Sequence, residues 1–189
     1  MLDCKGNNKD GGWAPKGEKR GGEEYIPPIG WAGYGLKVIG KYGDDTWLGM
    51  ANIAGEWCVA YHGVADMRKP KEVTEAIGSI IRPGLISKPD KPPKSGFKPS
   101  TGGKITNDPD LRHPGQTCKL GVYCSPDIEY AERYAGITEF NGEKYKCALM
   151  LRVNPQKIRQ STIWPKEYIL NPDINEIRPY RILLKNCSN

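Results

Sequence analysis

Residues 121–136 read Gly-Val-Tyr-Cys-Ser-Pro-Asp-Ile-Glu-Tyr-Ala-Glu-Arg-Tyr-Ala-Gly, an apolar β-run that passes into a helical pattern without an intervening loop. Val122 to Cys124 has the composition of a buried strand. Ser125 supplies an N-cap, Pro126 fits the first helical position, and Asp127 complements the positive end of the helix dipole. Ile128, Ala131 and Ala135 form the apolar stripe of the predicted helix, and Gly136 ends it. A strand feeding a helix in this way fixes a mixed architecture; the remaining question is what lies on either side.

Upstream, residues 57–64 alternate Trp57, Val59 and Tyr61 with Cys58, Ala60 and His62. Both sets are mostly apolar, which predicts a strand covered on both faces. At 71–81, Val73, Ala76, Ile77, Ile80 and Ile81 fall at helical spacing, and Pro83 and Gly84 stop the pattern. Residues 83–119 hold seven of the sixteen prolines and little to bury, so they are expected to form a lid or binding loop. Residues 25–50 turn apolar in short pieces cut by glycines, and short strands and turns are expected there. Residues 1–24 are Gly- and Lys-rich and are expected to form a flexible tail.

Downstream, Asn141-Gly142 marks a turn. A long strand is predicted at 145–153, with Tyr145, Cys147, Leu149, Leu151 and Val153 on one face. A short run at 168–170 is expected to pair with it. The last strand, 178–185, puts Tyr180, Ile182 and Leu184 on one face. Strands with inserted helices and strands at the end predict an α+β domain over 25–189 rather than a repeating βαβ unit.

Composition excludes several classes. No run of eighteen apolar residues exists to span a bilayer as a helix, and the first twenty residues lack a secretory core. Six cysteines without a C-x-x-C pair and only two histidines argue against a zinc site. Cys58, Cys124 and Cys147 lie in apolar strands as small hydrophobes. The expectation is a reducing, intracellular compartment, cytoplasmic or nuclear, and no metal. The net charge of +6 is concentrated at 82–119, where eight Lys or Arg face three Asp. A solvated loop accounts for this; no nucleic-acid recognition pattern accompanies it, so a nucleic-acid partner is not favoured.

Three segments place a polar group at the edge of a buried strand: Tyr61-His62-Gly63, Gly121-Val122-Tyr123 and Asn175-Glu176-Ile177. Alone, each is ordinary. In this order the chain resembles the poly(ADP-ribose) polymerase-like ADP-ribosyltransferases, in which His-Gly ends one strand. In that family a Gly-x-Tyr strand then enters a helix with a second tyrosine, here Tyr134, eleven residues after Tyr123. An Asn-Glu pair opens a late strand. The resemblance covers about residues 55–185 and implies an ADP-ribosyltransferase-like split β-sheet with a few short helices. It implies NAD as co-substrate and a macromolecular acceptor, a protein in the favoured reading, modified by mono-transfer.

The same resemblance assigns roles. His62 would bond a ribose hydroxyl through an imidazole that offers one donor and one acceptor. Gly63 would present its backbone to the nicotinamide carboxamide. Tyr123 and Tyr134 would flank the cationic nicotinamide ring. Glu176 would accept from the ribose 2′-OH and stabilise the oxocarbenium-like state. Ala131 stands where the family usually has a serine, a departure that removes one neutral hydrogen bond, about 0.5–1.5 kcal/mol. The principal alternative is a non-catalytic module that binds NAD, ADP-ribose or a protein on the same fold. An RNA 2′-phosphotransferase and an ADP-ribosylating toxin fit the motif residues less well.

Overall fold

The structure, a computed structural model, describes residues 2–8, 15, 17–64, 108–118 and 121–188. It is a mostly β protein with antiparallel sheets and very little helix. The strands are β1 (Leu2–Asn8), β2 (Lys19–Arg20), β3 (Glu23–Glu24), β4 (Ala32–Leu36), β5 (Cys58–Gly63), β6 (Val122–Cys124), β7 (Ile137–Phe140), β8 (Glu143–Val153), β9 (Tyr168–Leu170) and β10 (Ile177–Asn186). Among the described residues the helices are α1 (Ile128–Glu132) and a 3-10 turn at Thr46–Leu48. The helix predicted at 71–81 and the 83–107 part of the expected lid lie outside the described residues.

The main sheet runs β1-β4-β10-β8-β5, with β7 also on β8. β8 is its centre. Cys147 to Val153 are all buried, so both faces of this strand are covered rather than one. Leu149, Leu151 and Val153 pack with Cys58, Ala60 and Ile177 against Val122, Cys124, Tyr168 and Leu170 of β6 and β9. On the opposite face Ala148 and Met150 pack with Val59, Tyr61 and Leu183 against Ile128, Ala131 and Ala135 of the α1 segment. The stripe expected of that helix is therefore the buried one. Its cap differs: Asp127, not Ser125, is the N-cap and accepts from the Glu129 N–H. Ser125 instead accepts from the Asp127 N–H at 3.1 Å.

Two further expectations change. The 168–170 run pairs with β6, not with β8, and forms a separate small sheet. Within 1–24, residues 2–8 form an edge strand on β4 and 19–24 a short hairpin; residues 1, 9–14 and 16 of the expected tail lie outside the described residues. In β10 the ladder slips between Pro179 and Arg181, a bulge at a residue without an N–H. Asn141 and Gly142 both take positive φ, 52° and 78°, the conformation of a two-residue hairpin turn. Cys58, Cys118, Cys124 and Cys147 are buried free thiols, and burial pushes Cys58 and Cys147 up to about 12.

Candidate active site

β6 lies on one face of the main sheet and α1 on the other, so the chain must cross the edge of β5 between them. It crosses at Ser125. Tyr61 N–H donates to Ser125 O at 2.7 Å, and Ser125 N–H donates back to Tyr61 O at 2.9 Å. This single bridge joins the two sheets and sets His62 beside Tyr123. The His62 Nδ1 donates to the Tyr123 backbone carbonyl at 2.7 Å in the neutral tautomer. That tautomer leaves Nε2 as the acceptor. Burial holds the imidazole below its ordinary pKa of 6.5, opposed by the bond to Tyr123.

Because ladder hydrogen bonds alternate in direction, Gly63 turns its N–H and C=O to the same side as Tyr61, away from β8. That is also the side on which Tyr61 bonds Ser125. The glycine is also required sterically. A Cβ at position 63 would lie 2.5 Å from Ala131 O and 2.7 Å from Ala135 N. Gly121 is comparable: a Cβ there would lie 2.6 Å from Leu170 O, so β6 and β9 approach closely only without one.

Tyr123 is half-buried on the outer face of the small sheet, packed with Cys118 and Ile169. Burial raises its hydroxyl above the usual range, with Glu167 the next cause. Tyr134 stands just past α1 and is 55% exposed. Its hydroxyl donates to Glu167 Oε1 at 3.3 Å, and the Tyr130 hydroxyl donates to the same oxygen at 3.0 Å. Glu167 is 7% exposed and immediately precedes β9, where Tyr168 is the partner of Cys124. Lys166 pairs with Asp127 at 3.0 Å, tying the start of β9 to the cap of α1. His62 thus lies on β5, Tyr123 on β6, and Glu167 immediately before β9, the partner of β6.

Glu176 is elsewhere. His62 faces Leu149, and Leu149 faces Ile182, whereas Glu176 O accepts from Asn154 N–H. From Leu149 to Asn154 is about 17 Å of strand at ~3.4 Å per residue, so Glu176 sits toward the other end of the sheet. Its carboxylate is occupied there: Asn171 donates its backbone N–H at 2.7 Å and its Nδ2 at 2.8 Å. The expected grouping of His62, Tyr123 and Glu176 in one cleft is corrected on this point. The carboxylate beside the tyrosines is Glu167. Its signal was present in the sequence, since Glu167-Tyr168-Ile169-Leu170 is also a carboxylate opening an apolar run, but that run is only three residues long.

The described part of the expected lid, 108–118, is anchored beside this region. Asp108 accepts from the Ser161 and Thr162 hydroxyls and from Ile163 N–H. Asp110 accepts from Arg112 N–H, Gln160 N–H and His113 Nδ1. These bonds hold the turn that leads to Glu167. No helix among the described residues is long and apolar enough to cross a membrane. Comparison with protein-family models, with curated proteins and with solved structures finds no match.

Proposed function

We propose that this protein is an NAD-dependent ADP-ribosyltransferase with an ADP-ribosyltransferase-like split β-sheet. In this reading His62, Gly63, Tyr123 and Tyr134 bind NAD, and Glu167 takes the role expected of Glu176. The observation that carries the reading is an imidazole on β5 bonded to the backbone of the β6 tyrosine, with the carboxylate that immediately precedes β9, the partner of β6, held by Tyr134. The backbone of Gly63, turned away from β8, supplies a donor and an acceptor suited to a carboxamide.

In the reaction, the glycosidic C–N bond of the nicotinamide ribose breaks and nicotinamide leaves with the bonding electron pair. Positive charge develops on the ribose, and a nearby carboxylate stabilises it. Glu167 accepts from the 2′-OH and holds that charge. His62 Nε2 accepts from a ribose hydroxyl of the adenosine half. A lone pair of the acceptor nucleophile then forms the bond to C1′, and its proton passes to Glu167 or to solvent. The favoured acceptor is a protein, modified once. Ala131 offers no hydroxyl to the carboxamide, so Gly63 carries that recognition alone.

The test is incubation of the full chain with isotopically labelled NAD and cell extract, followed by mass spectrometry of labelled species. Label on a macromolecule supports transfer, and free ADP-ribose alone supports glycohydrolysis. Retention of all label in NAD, with no NAD-induced rise in melting temperature, overturns the reading.

A further inference from the structure

Two phenols converge on one carboxylate oxygen, and they are not equivalent. Tyr134 is largely exposed, and its bond to Glu167 Oε1 is the longer, 3.3 Å. Tyr130 is half-buried, its bond is 3.0 Å, and its ring is braced by Arg133 at 5.4 Å and by the Tyr134 ring at 5.9 Å. A residue that must present its ring to a ligand cannot also be the fixed support of the glutamate. Tyr130 can.

We infer that Tyr130 is a positioning residue that holds Oε1 of Glu167 and thereby aims Oε2 at the ribose hydroxyl, while Tyr134 releases the carboxylate to bind NAD. The inference rests on the transferase reading and deepens it by dividing the labour of the two tyrosines. Tyr130 touches neither ribose nor nicotinamide in this scheme. Burial, followed by its bonds to Tyr134 and Glu167, raises its hydroxyl well above the usual range. It therefore remains a protonated donor at any working pH.

The experiment measures nicotinamide release from NAD, with water as acceptor, for wild type, Tyr130→Phe, Tyr134→Phe, Glu167→Gln and the Tyr130→Phe/Glu167→Gln double variant. A hydrogen bond to a charged group lost only at the working carboxylate predicts a fall in kcat of about 10- to 100-fold for Tyr130→Phe. KM for NAD stays within about twofold, since no binding group is removed. Tyr134→Phe, at a residue that binds NAD in this reading, is read through KM, whereas Tyr130→Phe is read through kcat. In the Glu167→Gln background the Tyr130 change has no further effect, a non-additivity that a merely structural tyrosine does not produce. Full activity in Tyr130→Phe, or an equal loss in both backgrounds, overturns the inference while leaving the reading intact. No nicotinamide release by the wild type, or an unimpaired Glu167→Gln, removes the reading and the inference together.

Discussion

Tyr61 and Ser125 exchange both of their backbone hydrogen bonds, at 2.7 and 2.9 Å, and this pair joins the small β6–β9 sheet to the edge of β5. Everything in the candidate site is positioned from that junction. His62 follows Tyr61, Tyr123 precedes Ser125 by two residues, and Glu167 enters on the strand beyond.

The first prediction separates the two glutamates. On the proposed transferase reading, Glu167→Gln lowers nicotinamide release from NAD by about 10²–10³-fold, the usual cost of removing a charge-stabilising group from a transition state. Glu176→Gln changes it by less than about threefold, because its carboxylate is clasped by Asn171 away from His62. The reverse ranking would return the catalytic role to the position read from sequence.

Steric demand at the junction gives a second. Gly63→Ala forces a Cβ against backbone atoms of the α1 segment, and Gly121→Ala against the Leu170 carbonyl. Each is expected to lower unfolding free energy by about 2 kcal/mol or more, read from the urea midpoint at constant m-value. Neutral outcomes would mean that the strands can spread.

Acid stability follows from His62. Its pKa in the folded protein is held below 6.5 by burial, so the unfolded chain binds the proton more readily. The neutral imidazole's contribution is complete above about pH 6.5 and is lost as pH falls from there, with a slope of at most about 1.4 kcal/mol per pH unit. His62→Asn flattens this part of the stability curve. An unchanged slope between pH 6.5 and 5 in that variant would refute the assignment.

Arg152 provides a test far from the site. It is 2% exposed, lies 3.5 Å from Glu56, and donates to the carbonyls of Trp57, Leu48 and Gly49. Arg152→Met leaves Glu56 buried without its cation and costs about 3–5 kcal/mol. Adding Glu56→Gln restores part of the loss. Equal unfolding curves for wild type and Arg152→Met would count against the buried pair.

Much of the sheet could be read in advance because its signals are local. The β5 and β8 segments are apolar runs, the alternation of Tyr180, Ile182 and Leu184 marks β10, and the α1 stripe follows from Ile128, Ala131 and Ala135. His62 beside Tyr123 was legible as motif order, although not the bond between them. Partnership was harder to read. Nothing in a three-residue run such as Tyr168–Leu170 says which strand it joins, and pairing it with β8 hid the carboxylate that enters β6's neighbour. The helix cap slipped by two positions because Ser125 is spent on the Tyr61 bridge, a tertiary contact with no local trace. Residues 2–8 lack an apolar pattern, yet an edge strand needs only main-chain partners.

The imidazole at 62 leans on a carbonyl oxygen, which every amino acid possesses, and not on the phenol of residue 123. Replacing that phenol leaves the tautomer of its neighbour undisturbed. The phenol at 123 and the imidazole at 62 are therefore free to evolve separately, and an engineer can vary one while keeping the other.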